Sequence, residues 1–299
     1  MTDVVAVIGN YQGEHVLPDC LASLHEQSHR LTEVIVVDGS STDGGAVLAE
    51  RYGARVLRHP NHGLGFLYNR GAEAAIAPYV LFLNNDVSLD SRCVELLAAA
   101  LDEDQARFAA DAQQFDWAGV STIHARTTVT RGRLLREFLP GLHLDSRIPA
   151  EEVVATVSAN GAAMLVRRAT HLELGGFDET FFMEWEDLDL CWRAWLGGWS
   201  SVYVPQARVR HRVGSATYEG RAQGRREASS HHNLLRFALK CLPAAAAARV
   251  VAGELLRLPR HPKPIAHGFA TVVRELPDIA RLRRMLAPSR KLNGAPISL

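Results

Sequence analysis

The 299-residue sequence has few cysteines, and no two of them are close together in the sequence. Its four cysteines stand far apart, with no Cys-x-x-Cys spacing, at Cys20, Cys93, Cys191 and Cys241. This arrangement argues against a disulfide framework and against a structural zinc site built on paired cysteines. It fits a protein of the reducing cytoplasm.

The sequence also has no net charge and no long apolar run. Lys plus Arg and Asp plus Glu both number 33, so no overall positive field favours nucleic acid as a partner. No segment offers the roughly 20 apolar residues of a membrane span, since the nearest, 244–258, contains Arg249 and Glu254. The N-terminus lacks the pattern of a secretion signal. With 47% apolar residues, we expect a soluble, cytoplasmic globular protein.

The first hundred residues alternate short apolar runs with amphipathic runs of helix length. Strands are expected at 4–8, 34–37, 55–57 and 79–83, with helices between them, which is typical of a parallel α/β sheet. Ligands of such sheets bind beyond the carboxyl ends of the strands. The polar residues that follow these strands are Asn10, Tyr11, Asp38, Asn84, Asn85 and Asp86.

The second half of the sequence has a less regular pattern. Residues 106–155 give no clear assignment, and strands and helices are expected again from 156. An aromatic and acidic run at 181–189 leads into a helix, and His211 follows a strand at 201–204. From about 216 the chain is expected to be helical and basic. The pattern therefore divides the chain into 1–105, 106–215 and a basic helical region at 216–299.

Four candidate side chains could bind a substrate or catalyse its reaction, and each has a structural alternative. Asp38 is placed to bind a ribose or base edge, but Asp in such a turn also caps backbone N–H groups. Asp86 is suited to Mg²⁺ or Mn²⁺, which prefer oxygen ligands, but a polar turn explains it equally. Asp187 stands in a helix's first turn, where acids are favoured without catalysis. His211 is a candidate metal or diphosphate ligand or an ordinary packed histidine.

Seven sequence blocks in a fixed order resemble the family-2 inverting glycosyltransferases, particularly their rhamnosyltransferase-like branch. The resemblance covers about residues 3 to 240. The blocks are VIGNY (7–11), VIVVDGSSTDGG (34–45), NHGLGFLYNRG (61–71), LFLNNDV (81–87), ANGAAMLVRR (159–168), GGFDETFFMEWEDLDLCWR (175–193) and VRH (209–211) with GS (214–215).

The resemblance implies a glycosyltransferase-A fold, a Rossmann-like nucleotide-diphospho-sugar transferase with a mostly parallel central sheet and C-terminal helices. It implies a catalytic base at Asp187 and a divalent cation, Mg²⁺ or Mn²⁺, at Asp86 and His211. The implied donor-binding residues are Asn10, Tyr11, Asp38, Asn69, Asn84 and Asn85, and the implied acceptor-binding residues are Asn160, Gly161, Trp185 and Glu186.

The resemblance also implies the reaction and its partners. A hexosyl unit, rhamnosyl or similar, would pass with inversion from a dTDP- or UDP-linked sugar to a hydroxyl of a glycan or lipid-linked acceptor in polysaccharide or cell-envelope synthesis. The sequence has Asn84 where many relatives carry the first Asp of the Asp-x-Asp element, and Trp185 where they often have Gly.

Two other functions are compatible with parts of the pattern. A sugar-nucleotide nucleotidyltransferase shares a similar sheet, but the loop GNYQGEH (9–15) has no Arg or Lys for a triphosphate. A catalytically silent sugar-nucleotide-binding module is the other alternative. The basic C-terminal region is expected to complete the fold, to mediate a homodimer or to contact the inner membrane surface peripherally.

Overall fold

A computed structural model describes residues 2–129, 140–142, 151–213 and 222–286, with side chains left out at 129, 140–142 and 222–228. The strands are β1 (Val4–Asn10), β2 (Glu33–Asp38), β3 (Arg55–Arg58), β4 (Tyr79–Asn84), β5 (Val87–Leu89), β6 (Arg107–Phe115), β7 (Thr122–His124), β8 (Thr127–Val129), β9 (Pro140–Leu142), β10 (Val154–Thr156), β11 (Ala163–Arg167) and β12 (Ser200–His211). The helices are α1 (Leu17–His25), α2 (Gly45–Arg51), α3 (Leu64–Ala74), α4 (Cys93–Asp102), α5 (Arg168–Glu173), α6 (Glu186–Leu196), α7 (Ala222–Cys241), α8 (Ala244–Arg257) and α9 (Pro262–Leu286).

One central sheet runs through both halves of the chain, in the order β10-β12-β6-β11-β4-β1-β2-β3. The strands of the first half, β4, β1, β2 and β3, are all parallel, as the alternation of strands and helices predicts. In the second half β11 runs antiparallel to both β4 and β6, while β12 is parallel to β6. The sheet is therefore parallel in the first half of the chain and mixed in the second.

The apolar strands of the sheet are buried on both faces. In β1, Val4, Ala6 and Ile8 pack with residues of α1 and α4, whereas Val5 and Val7 pack with residues of α3 and α6. Successive side chains of a strand point to opposite faces, so a strand covered by helices on both sides needs apolar residues at every position. This burial explains why β1 is a continuous apolar run.

Strand β6 lies in the segment that the sequence pattern left unassigned. It contains Asp111, Gln113 and Gln114, whose polarity hides the strand periodicity. The buried carboxylate of Asp111 is satisfied by His124 of β7, whose Nε2 lies 2.9 Å from its Oδ2, and by the N–H of Asn160. Polar residues are thus accommodated inside the sheet by partners far along the chain.

The C-terminal helices pack onto the helix that carries the predicted base. Trp192 and Leu188 of α6 share a core with Phe237 and Ala238 of α7, and α9 packs along α7. A buried ionic cluster joins the same elements: Arg236 and Lys240 of α7 contact Asp178, and Lys240 also reaches Asp189 of α6.

Within the described ranges, no helix combines the length and the apolar character that crossing a membrane requires.

Candidate active site

A cavity of about 440 Å³ opens at the carboxyl ends of β1 and β4. It is lined by Gly9, Asn10, Tyr11, Asn61, Gly63, Leu64, Leu67, Asn84, Asn85, Asp86, Asn160, Gly161, Ala162, Phe182, Met183, Glu184, Trp185, Glu186, Asp187, His211 and Val213. All of the predicted site residues except Asp38 and Asn69 line it. The sheet therefore brings the residues at the ends of β1 and β4 and those around Asp187 to one opening, as expected at this edge of an α/β sheet.

Three buried polar side chains form a chain of hydrogen bonds beneath the cavity, at the ends of the first-half strands. Asn85 donates from Nδ2 to Asn10 Oδ1 at 2.8 Å, and Asn10 donates from Nδ2 to Asp38 Oδ1 at 2.9 Å. Asp38 also accepts from the N–H of Ser41. Asp38 thus lies behind Asn10, where it holds Asn10 and the following turn in place, rather than on the cavity wall.

Asp86 and His211 meet at the cavity wall. The Nε2 of His211 lies 3.2 Å from Asp86 Oδ1, and Nδ1 of the same ring lies 3.0 Å from Gln114 Oε1. A neutral histidine that donates its Nδ1–H to Gln114 keeps the lone pair on Nε2 beside the Asp86 carboxylate. The carboxylate suits Mg²⁺ or Mn²⁺, which prefer oxygen ligands, and the imidazole nitrogen beside it offers a second, softer donor.

The described residues contain no group of three or more His, Cys, Asp or Glu side chains that could hold a metal ion. Asp86 and His211 are thus two ligands that fit a cation whose remaining positions are filled by diphosphate oxygens and water. The fit rests on the donor types and on the Gln114 contact that orients the ring.

Tyr68 links the two sides of the cavity from below. Its buried hydroxyl lies 2.8 Å from the carbonyl oxygen of Gly161 and 3.0 Å from Asn84 Oδ1. The hydroxyl has one proton, so it donates to one of these oxygens at a time. Gly161 in turn donates its N–H to Asp187 Oδ2 at 3.1 Å. The strand end next to Asp86 is therefore connected to Asp187 by a short path of polar contacts.

Asp187 stands in the first turn of α6, directly after a strained turn. Glu184 and Trp185 have φ angles of 62° and 75°, in the left-handed region that few non-glycine residues adopt. Asn233 of α7 donates both of its amide hydrogens across this turn, to the carbonyl oxygens of Met183 at 2.8 Å and Glu184 at 2.9 Å. A side chain of the C-terminal helices therefore fixes the turn from which α6 and Asp187 begin.

Of two adjacent carboxyl groups at the cavity, Glu186 is buried and Asp187 is half-buried. Burial, together with the neighbouring Asp187 charge, raises the pKa of Glu186 to about 8. Burial also raises the pKa of Asp187, against the opposing effect of the Gly161 and Leu188 N–H groups, which donate to its carboxylate. At this helix N-terminus, desolvation outweighs the helix dipole and backbone donors, which favour the anions.

The two carboxyls differ in their hydrogen bonding. Both Asp187 oxygens accept backbone N–H bonds, from Gly161 and from Leu188. The buried Oε2 of Glu186 has no hydrogen-bond partner among the described residues. Hydrogen bonds to the charged form favour it, so Asp187 is the better carboxylate and Glu186 the better proton holder of the pair.

Asn69, which the resemblance assigns to donor binding, does not line the cavity. Its Nδ2 donates to the Phe177 carbonyl and to Glu179, and its Oδ1 accepts from the Phe177 N–H. The amide braces the turn before the aromatic and acidic run. The structure thus gives Asn69 a supporting position instead of a place on the cavity wall.

Several cavity residues carried no separate prediction. Gly63 has a φ of 106°, and a Cβ at this position would lie 2.4 Å from the Phe182 carbonyl oxygen. The backbone at 63 thus approaches the 182–185 turn in a way that only glycine permits. Asn61 and Gly63 stand in the quoted NHGLG block, so the sequence did contain the signal that marks them.

Comparisons with known proteins agree with this arrangement. The family profile described as Glycosyl transferase family 2 matches residues 5–148, and that of Glycosyl transferase family group 2 matches residues 79–258. An N-acetylglucosaminyl-diphospho-decaprenol L-rhamnosyltransferase of Mycobacterium tuberculosis is 32% identical over 263 residues, covering 79% of this chain and 84% of the relative.

Two solved structures share the fold at low sequence identity. Staphylococcus aureus TarS 1–349 in complex with UDP-GlcNAc has a TM-score of 0.61 at 19% identity, covering 96% of this chain and 87% of that one. Mannosyltransferase PcManGT from Pyrobaculum calidifontis, in complex with GDP-Man and Mn²⁺, has a TM-score of 0.58 at 16% identity, covering 96% and 82%. The expected glycosyltransferase-A fold is confirmed.

Proposed function

The chain belongs to glycosyl transferase family 2, in its rhamnosyltransferase-like branch, and from this premise we propose that it is an inverting, nucleotide-sugar-dependent hexosyltransferase. The observation that carries the proposal is the single cavity that Asp86 and His211 share with Asp187. A leaving diphosphate at the first pair and an acceptor hydroxyl at Asp187 would then face the same anomeric carbon from opposite sides.

In the proposed reaction, the Asp187 carboxylate removes the proton of the acceptor hydroxyl. The acceptor oxygen forms its bond to the anomeric carbon as the bond from that carbon to the nucleoside diphosphate breaks. One displacement inverts the anomeric configuration, by the geometric logic that distinguishes one-step from two-step glycosidases. Gly161 and Leu188 orient the Asp187 carboxylate through their N–H groups.

The proposed cation site is formed by Asp86 and His211, with Gln114 orienting the imidazole. A bound divalent cation would supply positive charge for the diphosphate that departs. Asn10 and Asn85, held by Asp38, contribute polar groups on the same side of the cavity for the donor.

For the substrates, we propose a rhamnosyl or similar hexosyl donor linked to dTDP or UDP. The relative from M. tuberculosis is named as a rhamnosyltransferase of N-acetylglucosaminyl-diphospho-decaprenol. By similarity, the proposed acceptor is a hydroxyl of a lipid-linked glycan in bacterial cell-envelope synthesis. We propose that residues 1–105 bind the donor, that 106–215 provide the acceptor and catalytic half, and that the protein acts in the cytoplasm.

Purified protein incubated with a panel of dTDP-, UDP- and GDP-sugars and an N-acetylglucosaminyl-diphospho-lipid tests this proposal. We expect one donor to yield a glycosylated lipid, detected by mass spectrometry, in a reaction that requires Mg²⁺ or Mn²⁺. Donor binding without transfer to any acceptor would favour the silent binding module. Formation of a sugar nucleotide from a sugar phosphate and a nucleoside triphosphate would favour the nucleotidyltransferase.

A further inference from the structure

The outward side of helices α8 and α9 combines exposed apolar and basic side chains. Leu256, Val273 and Met285 are exposed by 65%, 61% and 63%. We call this surface the α8–α9 face, and define it by the exposed apolar residues Leu255, Leu256, Val273, Leu276 and Met285 and the exposed basic residues Arg260, Lys263, Arg274, Arg281 and Arg284. Exposed apolar side chains on consecutive helices often mark a site of interaction.

The acidic residues of these two helices are all engaged by basic or histidine side chains. Glu254 is buried and contacts His231 and Arg257. Glu275 contacts His232 and Arg236. The fold thus directs these two carboxylates to histidine and arginine side chains of the helical region.

Asp278, the remaining acidic residue of α8 and α9, is also engaged. Its carboxylate contacts the buried Arg236 at 2.8 Å and Arg281 at 2.6 Å. Among the described residues of α8 and α9, no carboxylate is fully exposed. The α8–α9 face is consequently more basic than the composition of its helices indicates.

Around α9, Lys263, Arg274 and Arg281 lie apart from the small apolar residues, whereas Arg284 continues their spacing. Small apolar residues recur every three or four positions along the outward side, at Ala266, Ala270, Val273, Pro277 and Ala280. Lys263, Arg274 and Arg281 are spaced by eleven and seven residues, so they stand in one row along the edge of that stripe. An apolar stripe beside a row of basic residues is typical of helices that lie in a membrane interface.

We propose that the α8–α9 face docks on the surface of an anionic lipid bilayer, with the apolar side chains in the interface and the basic ones at the lipid phosphates. Charge complementarity favours this occupant over a second copy of the chain, because a symmetric dimer through this face would bring the same basic residues together. The docking goes beyond the proposed reaction and needs neither donor nor acceptor.

Co-sedimentation of the full chain with phosphatidylcholine vesicles, with and without phosphatidylglycerol, tests the proposal. We expect binding to the anionic vesicles that weakens at high ionic strength. The variant Lys263→Gln/Arg274→Gln/Arg284→Gln should bind about fivefold less tightly per residue changed, on the order of 100-fold in total. Arg281 is left intact because it pairs with Asp278.

The matched control is Arg30→Gln/Arg51→Gln/Arg55→Gln, which removes three exposed positive charges from the first half of the chain. It should bind vesicles like the unchanged protein. A second variant, Val273→Ser/Leu276→Ser, keeps every charge and should also bind more weakly. All of these side chains are exposed, and thermal unfolding of each variant verifies that it is folded.

Three results would overturn the proposal: equal binding to neutral and anionic vesicles, no loss in the Lys263/Arg274/Arg284 variant, or a loss of the same size in the control. Analytical ultracentrifugation adds a fourth. A dimer that dissociates in the Val273/Leu276 variant, with vesicle binding unchanged, would assign the face to a second copy. Because vesicle binding is measured without substrates, its failure leaves the transferase proposal standing.

Discussion

The neighbouring carboxyls of Glu186, which is buried, and Asp187, which is half-buried, have different surroundings. Asp187 accepts backbone N–H bonds at both oxygens, while Oε2 of Glu186 has no hydrogen-bond partner within the part of the chain that the structure describes. Repulsion between two adjacent carboxylates makes it unfavourable for both to be ionised, and the surroundings of each decide which one keeps its proton. We infer that at neutral pH Glu186 keeps its proton and Asp187 carries the charge that a general base needs.

The raised pKa of Glu186 predicts how stability depends on pH. Its pKa is about 8 in the folded protein and 4.5 ordinarily, so between these values the folded state holds a proton that the unfolded state has lost. The stabilising contribution is therefore complete below pH 4.5 and disappears as the pH rises through about 8. Glu186→Gln should become more stable relative to the unchanged protein across this window, measured by chemical denaturation at several pH values.

The exposed Glu73 provides the control for this measurement. Glu73→Gln should shift the free energy of unfolding by a nearly constant amount over the same range. If the difference between Glu186→Gln and the unchanged protein does not vary with pH, Glu186 is not protonated in the folded state.

Gln114 is expected to affect cation binding without being a ligand. Its Oε1 lies 3.0 Å from Nδ1 of His211, which fixes the ring with Nε2 towards Asp86. Residues that orient a metal-binding histidine typically contribute about 10–100-fold to affinity. Gln114→Ala should therefore weaken Mn²⁺ binding by this order in the presence of UDP or dTDP, measured by isothermal titration calorimetry.

The next residue along β6 supplies the comparison. Gln113 bonds to Thr122 at 3.5 Å, away from His211. Gln113→Ala should leave Mn²⁺ affinity close to that of the unchanged protein, whereas Asp86→Asn should reduce it most. Equal effects of Gln113→Ala and Gln114→Ala would mean that the loss comes from strand packing and not from orientation of His211.

At the scale of elements, helix α7 is part of the catalytic architecture. Asn233 bonds to the Met183 and Glu184 carbonyls of the left-handed turn before α6. The ring of Trp185 packs on Phe237 of α7, with centroids 5.6 Å apart. These contacts hold a turn that would otherwise relax, since left-handed non-glycine residues cost on the order of 1–3 kcal/mol each.

Asn233→Ala should reduce turnover as well as stability. Two half-buried carbonyls lose their donor, at about 0.5–1.5 kcal/mol for each hydrogen bond, and the start of α6 becomes free to shift with Asp187. We expect kcat to fall at least tenfold, because a small displacement of a base costs catalysis heavily, while the KM for the donor changes little.

Ile279→Val is the matched control, since it removes a methyl group from the buried contact between α7 and α9 and should cost about 0.5–1.5 kcal/mol. It should leave kcat nearly unchanged. If Ile279→Val lowers kcat as much as Asn233→Ala at comparable stability, Asn233 acts through the general stability of the helices and not through the turn.

The elements differ in how far the sequence predicts them. The strands β1, β2 and β4 are evident because burial on both faces makes them continuous apolar runs bounded by polar turns, and the edge strand β3 is marked by Val56 and Leu57. Strand β6 is hidden because Asp111 is buried beside His124, a partner on another strand. A local pattern cannot contain such a partner, and the bonds of Asn233 to residues about 50 positions earlier are missed for the same reason.

The site residues show the same distinction. The residues at strand ends, such as Asn10 and Asp86, reach the cavity because parallel strands finish at one edge of the sheet. Asn69 belongs to a quoted block, yet its amide bonds to Phe177. A sequence block marks a position that matters to the fold or to the site, and only packing separates the two.

In the whole molecule, one continuous sheet connects the first and second halves of the chain. Strand β11 is antiparallel to both β4 and β6, which joins the parallel first half to the mixed second half. The loop between β10 and β11 carries Gly161, whose N–H donates to Asp187. The carbonyl oxygen of Gly161 lies beside the Tyr68 hydroxyl, which also contacts Asn84. The β4–β11 pair thus links the strand end before Asp86 to the backbone N–H that contacts Asp187.

The most direct test of the account compares transfer and donor binding in Asp187→Asn, whose amide oxygen can still accept the Gly161 N–H bond. We predict that transfer falls by about 10²–10⁴-fold, the usual contribution of a general base, while the dissociation constant for the nucleotide sugar stays within about twofold, less than 0.5 kcal/mol. A variant that transfers sugar at nearly the original rate would contradict the assignment of Asp187 as the base.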